Sequence, residues 1–167
     1  MKRLFLLQIL IKVLLIVNFM FVILFAPFII ALKIMGKIPF KIDDEPLVEL
    51  NVWFIFMILL FYTGCCFFTY AIYLFRKTLL LISEKIIFDD RVVKILNNTG
   101  RYLLAAAALW IIPSLVAEAY ADGPKIGLAF NGFNTGMLVV SISVFFMVLS
   151  EIMRIAITIK AENDLTL

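Results

Sequence analysis

The sequence predicts an all-α membrane protein. Four transmembrane helices form two antiparallel hairpins, and the second and third helices extend into the cytoplasm. Three observations predict this. The 167 residues are 65% hydrophobic with a mean hydropathy of +1.12, whereas soluble domains are about half apolar. Four stretches, residues 13–32, 50–75, 102–117 and 126–150, carry no charge, and a spanning helix needs about 20 apolar residues. Lys and Arg are also unevenly placed. Lys2, Arg3, Lys12, Arg76, Lys77, Lys85, Arg91, Lys94, Arg101, Arg154 and Lys160 fall on one side of such a topology, and Lys33, Lys37, Lys41 and Lys125 on the other. The richer side is cytoplasmic by the positive-inside rule. Both termini and the loop over 76–100 are therefore expected in the cytoplasm, in a multi-pass membrane protein.

The whole chain reads as one transmembrane domain, with spans over about 5–32, 48–75, 101–120 and 133–154. The first begins Met1-Lys2-Arg3, like a signal peptide, but its apolar run is too long for an h-region and no A-x-A site follows. It is expected to be a retained helix, kinked at Pro27 near the outer leaflet. Asp44 or Glu45 ahead of Pro46 suits the start of the second helix. Cys65 and Cys66 sit in mid-span as small packing residues. Beyond Phe75, the helical spacing of Leu79, Ile82 and Ile86 carries the second helix to about Ser83. Asp89 or Asp90 then caps a new helix, which Val92, Val93, Leu96 and Leu103 continue into the third span. Gly100 and the alanines at 105–108 suit close helix packing. A turn at Asp122-Gly123-Pro124 and an irregular stretch over 129–134 precede the fourth span. In the cytoplasmic tail, 155–167, Ile152, Ile155, Ala156 and Ile159 extend the helix and Asn163-Asp164 terminate it. Leu165 is expected to fold back onto the cytoplasmic loop, with Asp164 and Thr166 satisfying helix-end backbone groups. No internal repeat is evident.

The composition narrows the chemistry. There is no His, the commonest general base and a frequent metal ligand. No Gly-rich phosphate loop, paired intramembrane carboxylates or metal-ligand spacing occurs, so no enzyme, cofactor or metal is expected. A net charge of +3 does not favour direct nucleic-acid binding. Three polar groups remain. Lys12 and Glu151 lie at similar shallow depth and form a candidate intramembrane pair, with snorkelling of Lys12 as the simpler reading. Glu118, Asn131 and Asn134 form a candidate outer vestibule, with helix capping as the simpler reading of the asparagines. Asp89, Asp90, Arg91, Lys94, Glu162, Asn163, Asp164, Leu165 and Thr166 form a candidate cytoplasmic partner surface, with an ordinary solvated terminus as the simpler reading of the tail.

Three features carry a family resemblance: the basic opening before a long first span, the segment "IIFDDRVVKILNNTGRYLL" leading into the third, and the tail "IKAENDLTL". With them the chain resembles a bacterial family of small four-helix integral-membrane proteins of unknown function. Genes of that family often lie beside one for a small helix-turn-helix regulator. The resemblance therefore implies a membrane protein that binds or controls a cytoplasmic transcription factor. The expected function is a non-enzymatic membrane regulator. The alternatives are a small-solute or ion transporter or channel subunit, lined by Lys12, Asn18, Glu118, Asn131, Asn134 and Glu151, and an accessory subunit of a membrane complex. The lipid bilayer is an expected partner, and an oligomer is compatible with each reading.

Overall fold

The computed structural model describes residues 2–34, 41–42, 45–46, 52–84, 86–120 and 132–165. Four long helices dominate: α1 (Lys2–Ile34), α2 (Val52–Ser83), α3 (Asp90–Tyr120) and α4 (Gly132–Leu165). A short antiparallel pair, β1 (Lys41–Ile42) and β2 (Glu45–Pro46), lies between α1 and α2, with Lys41 opposite Pro46. Among the described residues, three segments are long and apolar enough to cross a membrane: Leu4–Phe25, Ile55–Ser83 and Thr135–Asp164. The expected third span is not among them. Its helix, α3, begins with Asp90, Arg91, Lys94 and Arg101.

The helices pack in chain order, α1 on α2, α2 on α3 and α3 on α4. The last two seams share one design. On α4, Gly136, Ser143 and Ser150 recur every seven residues, and on α3 so do Val93, Gly100 and Ala107. Ser143 Oγ donates to Gly100 O at 2.7 Å, and Ser150 Oγ donates to Val93 O at 2.9 Å, both buried. The same register brings Gly136 against Ala107 and Ile111. A second heptad on α3, Val92, Thr99 and Ala106, answers Gly64, Ala71 and Thr78 on α2. Gly64 meets Ala106 O and the Trp110 indole. In that register Ala71 is level with Thr99, and Thr78 with Val92; all four are 1% exposed or less. A seven-residue period keeps one stripe facing its neighbour as two helices wind left-handedly. Small residues let the backbones approach closely where apolar burial gives little drive between helices in lipid.

Side chains fill the spaces beside these stripes. Ala71, Leu103, Ala107 and Val139 form a core flanked by Phe68, Tyr102, Trp110 and Phe146. Phe75 of α2 and Phe146 of α4 meet edge-on with centroids 5.0 Å apart. The contact of α1 is sparser: Ile11 and Leu15 pack against Ile72, Phe75 and Leu79. Gln8 Nε2 donates to Leu79 O at 3.3 Å. Most of the apolar surface of α1 is exposed.

The paired serines set up a measurable expectation. Each bond contributes about 0.6–2 kcal/mol in a bilayer, so Ser143→Ala and Ser150→Ala should each lower stability by that amount. The two sites lie about 10 Å apart along α4, so their effects should nearly add. Denaturant titration in mild detergent, followed by tryptophan fluorescence, measures both.

Candidate functional site

The densest polar geometry lies where α2 ends, α3 begins and the far end of α4 passes. The second helix closes with Glu84 N donating to Leu80 O and Ile86 N to Leu81 O, each at 3.1 Å. The latter six-to-one bond satisfies a carbonyl that the helix end leaves open. Ser83 Oγ also bonds Leu80 O at 2.7 Å. The end at Ser83 is where the apolar spacing placed it.

The next helix starts on Asp89. Its Oδ1 accepts from Arg91 N at 2.8 Å, and its carbonyl accepts from Val92 N at 2.9 Å. That is N-cap geometry: a short carboxylate saturates a free N–H and meets the positive end of the helix dipole. Of the two aspartates, Asp89 is therefore the cap and Asp90 the first helical residue. Arg91 Nε returns to Asp89 Oδ2 at 3.6 Å, and Lys94 is exposed one turn on. Between the helices, Ile86, Ile87 and Phe88 are exposed at 37%, 39% and 51%. The sequence reading used Ile86 only as part of a helical stripe; it lies beyond the helix.

The tail reaches this connection differently from expectation. Asn163 and Asp164 do not end the fourth helix, which continues to Leu165. Leu165 is its last residue, and Thr166 lies outside the described residues. The described contact is made one turn earlier: Lys160 Nζ stands 5.2 Å from the centroid of the Phe88 ring. A cation over an exposed ring contributes about 0.5–1 kcal/mol. Sequence reading missed Lys160 because a lone lysine near a terminus carries no pattern. The register of α4 against α3 is what delivers it. Removing the ammonium in Lys160→Ala should loosen the last turns of α4, read as faster amide exchange over 158–165 with no change over 136–150.

The other polar groups do not converge. Lys12 and Glu151 are not paired in the structure: α1 packs against α2, and α4 against α3. Lys12 is exposed on α1. The Glu151 carboxylate instead lies 3.3 Å from Arg154 Nη1 on its own helix. Depth alone made the two look like partners; lateral order separates them. Asn18 Nδ2 donates within α1 to Leu14 O at 2.9 Å. The vestibule falls outside the described residues: Asn131 altogether, and Glu118 and Asn134 in their side chains. Among the described residues no three His, Cys, Asp or Glu gather as a metal site.

The family whose description reads "protein of unknown function (DUF2975)" matches residues 37–167. The chain belongs to the DUF2975 family. The matched segment contains α2, α3 and α4, both small-residue seams and the α2–α3 connection, while α1 precedes it. No curated protein and no solved structure matches this DUF2975 chain.

Proposed function

We propose that this DUF2975 protein is a non-enzymatic membrane regulator that binds a cytoplasmic protein through the α2–α3 connection and the end of α4. All four helices cross the bilayer in this reading, as two hairpins with both termini in the cytoplasm of a bacterial cell. Helices of 32 and 34 residues are about 48 and 51 Å long at 1.5 Å per residue, against a hydrocarbon core of about 30 Å. Ample length is left to project. The third helix is sheltered between two neighbours, and its first residues, Asp90 and Arg91, belong to the projecting part.

One observation carries the proposal: Ile86, Ile87 and Phe88 form an exposed apolar tip framed by charge. Asp89 and Arg91 frame it on one side, and Lys160 on the other. An apolar centre within a polar rim is the usual anatomy of a protein interface. Asp89, Asp90, Arg91, Lys94 and the end of α4, from Glu162 to Asp164, supply the rim. The family resemblance points to a helix-turn-helix regulator as partner. The transporter reading is less well supported, because the described polar groups Lys12, Asn18 and Glu151 bond within their own helices or face outward.

Co-expression with a helix-turn-helix regulator of the kind the family resemblance implies tests the proposal. The regulator should sediment with membranes containing the wild-type chain. A regulator that stays in the supernatant at equal expression of both proteins counts against it.

A further inference from the structure

We infer that the open seam between α2 and α3 holds the headgroup of an anionic phospholipid, in the leaflet nearer the α2–α3 connection. The inference needs the helices to cross a membrane, but it does not depend on the partner protein.

Among the described residues, the α2–α3 pair is covered on one side only. α1 packs against Ile72 and Leu79 of α2, and α4 against Val93, Gly100 and Ala107 of α3. These residues lie on the same side of the pair. The opposite side carries Tyr70, Tyr73 and Lys77 on α2, a single helical face by their spacing. It also carries Lys94, Asn98 and Arg101 on α3, again a single face. All six are exposed. The ring of Tyr102 proves that the two faces adjoin: it meets Tyr70 edge-on with centroids 4.7 Å apart, and Tyr70 stacks on Tyr73 at 6.1 Å.

The antiparallel register that sets Ala71 level with Thr99 also fixes depth. Arg101 is level with Thr69, beside Tyr70; Asn98 lies level with Ile72, beside Tyr73; and Lys94 is level with Arg76, next to Lys77. The charge-free stretch of α2 ends before Arg76, level with Lys94, whereas that of α3 begins after Arg101, level with Thr69 and about 10 Å deeper. The patch therefore runs from the headgroup layer, where Tyr is enriched, about two helical turns inward to Arg101, a depth from which a long arginine side chain reaches the headgroups. There, clusters of Lys and Arg select anionic lipids. Three cations and an amide converge on one seam, with tyrosine hydroxyls and rings to contact the glycerol region. The acidic groups on the same two faces, Glu84 and Asp90, lie further from the membrane; Asp90 is one turn from Lys94, so Lys77 and Arg101 carry most of the net positive charge of the patch. A phosphodiester meets Lys and Arg donors and leaves its acyl chains along the apolar surface of the seam.

The test uses the full-length chain in detergent and native mass spectrometry with added phosphatidylglycerol or phosphatidylcholine of matched acyl chains. The triple variant Lys77→Gln, Lys94→Gln, Arg101→Gln is compared with Lys12→Gln, Arg154→Gln, which removes basic charge at the same end of other helices. The wild type should retain phosphatidylglycerol preferentially. The triple variant should lose that preference, by on the order of a hundredfold for three residues near the surface. The Lys12 and Arg154 variant should keep it. Unchanged size-exclusion profiles and melting temperatures show that the variants fold; if the triple variant does not, the single Arg101→Gln variant should show a partial loss. Three results would overturn the inference: equal retention of both lipids by the wild type, an equal loss in both variants, or capture of an acidic protein in place of lipid that disappears in the triple variant.

Discussion

Gly100→Leu should disrupt the fold more than any other single change considered. A Cβ at this position would stand 2.7 Å from Met147 Cγ, 2.8 Å from Ser143 O and 3.2 Å from Met147 N. A rotamer change can move the first of these, but the other two are backbone. The α3–α4 seam must open to admit the side chain, and the Ser143 bond to Gly100 O opens with it. Overpacking of this kind costs about 1–3 kcal/mol, and the lost buried bond adds about 1 kcal/mol. Most small domains are stable by only 5–15 kcal/mol, so a clear fall in yield and melting temperature is expected. Ala108→Leu is the control. It lies on the same helix but is exposed, and an added apolar side chain facing lipid should cost little. If both variants behaved alike, the seam would not be what holds these helices together.

The second large effect is on partner binding. Ile86→Ser, Ile87→Ser and Phe88→Ser together remove the apolar tip while leaving the Asp89 cap and every small-residue stripe in place. Truncating buried interface anchors typically costs 2 kcal/mol or more each, so the triple variant should lose detectable partner retention. Its melting temperature should stay close to that of the wild type, because all three side chains are exposed. Removing the ring also frees Lys160. Lys160→Ala alone therefore separates the two contributions, and a partial loss is expected from it. Full retention by the triple variant would put the binding surface elsewhere.

What sequence reading captured and missed follows from which physical signals survive in an apolar chain. Helix ends were legible because they depend on polar chemistry. The end of α2 at Ser83 and the cap near Asp89 stand out against the background. Gly100 and the alanines at 105–108 were legible as close-packing residues, and Ala106 and Ala107 are fully buried. The heptads through Gly64, Val92, Val93 and Gly136 were missed. In a soluble protein the buried stripe differs in polarity from its surroundings. Here every face is apolar, and the stripe differs only in size. A scan for small residues every seven positions would have found 64/71/78 on α2 and 136/143/150 on α4. The Lys12–Glu151 pair failed for a related reason: charge and depth are readable from one sequence, but lateral neighbours are not. The contact of Lys160 with Phe88 depends on the seam register, so it was legible only once that register was known.

In the proposed function, the α2–α3 connection and the end of α4 form a cytoplasmic surface that a protein occupies. Site-specific photo-crosslinking in intact cells tests it most directly. A photoreactive phenylalanine analogue is placed at Ile87, and for comparison at the exposed Leu138, in a segment long and apolar enough to cross a membrane. The account predicts one discrete protein adduct at position 87, identified by mass spectrometry as a cytoplasmic protein and absent at position 138. Adducts only to lipid, or to a protein of the opposite compartment, would contradict it.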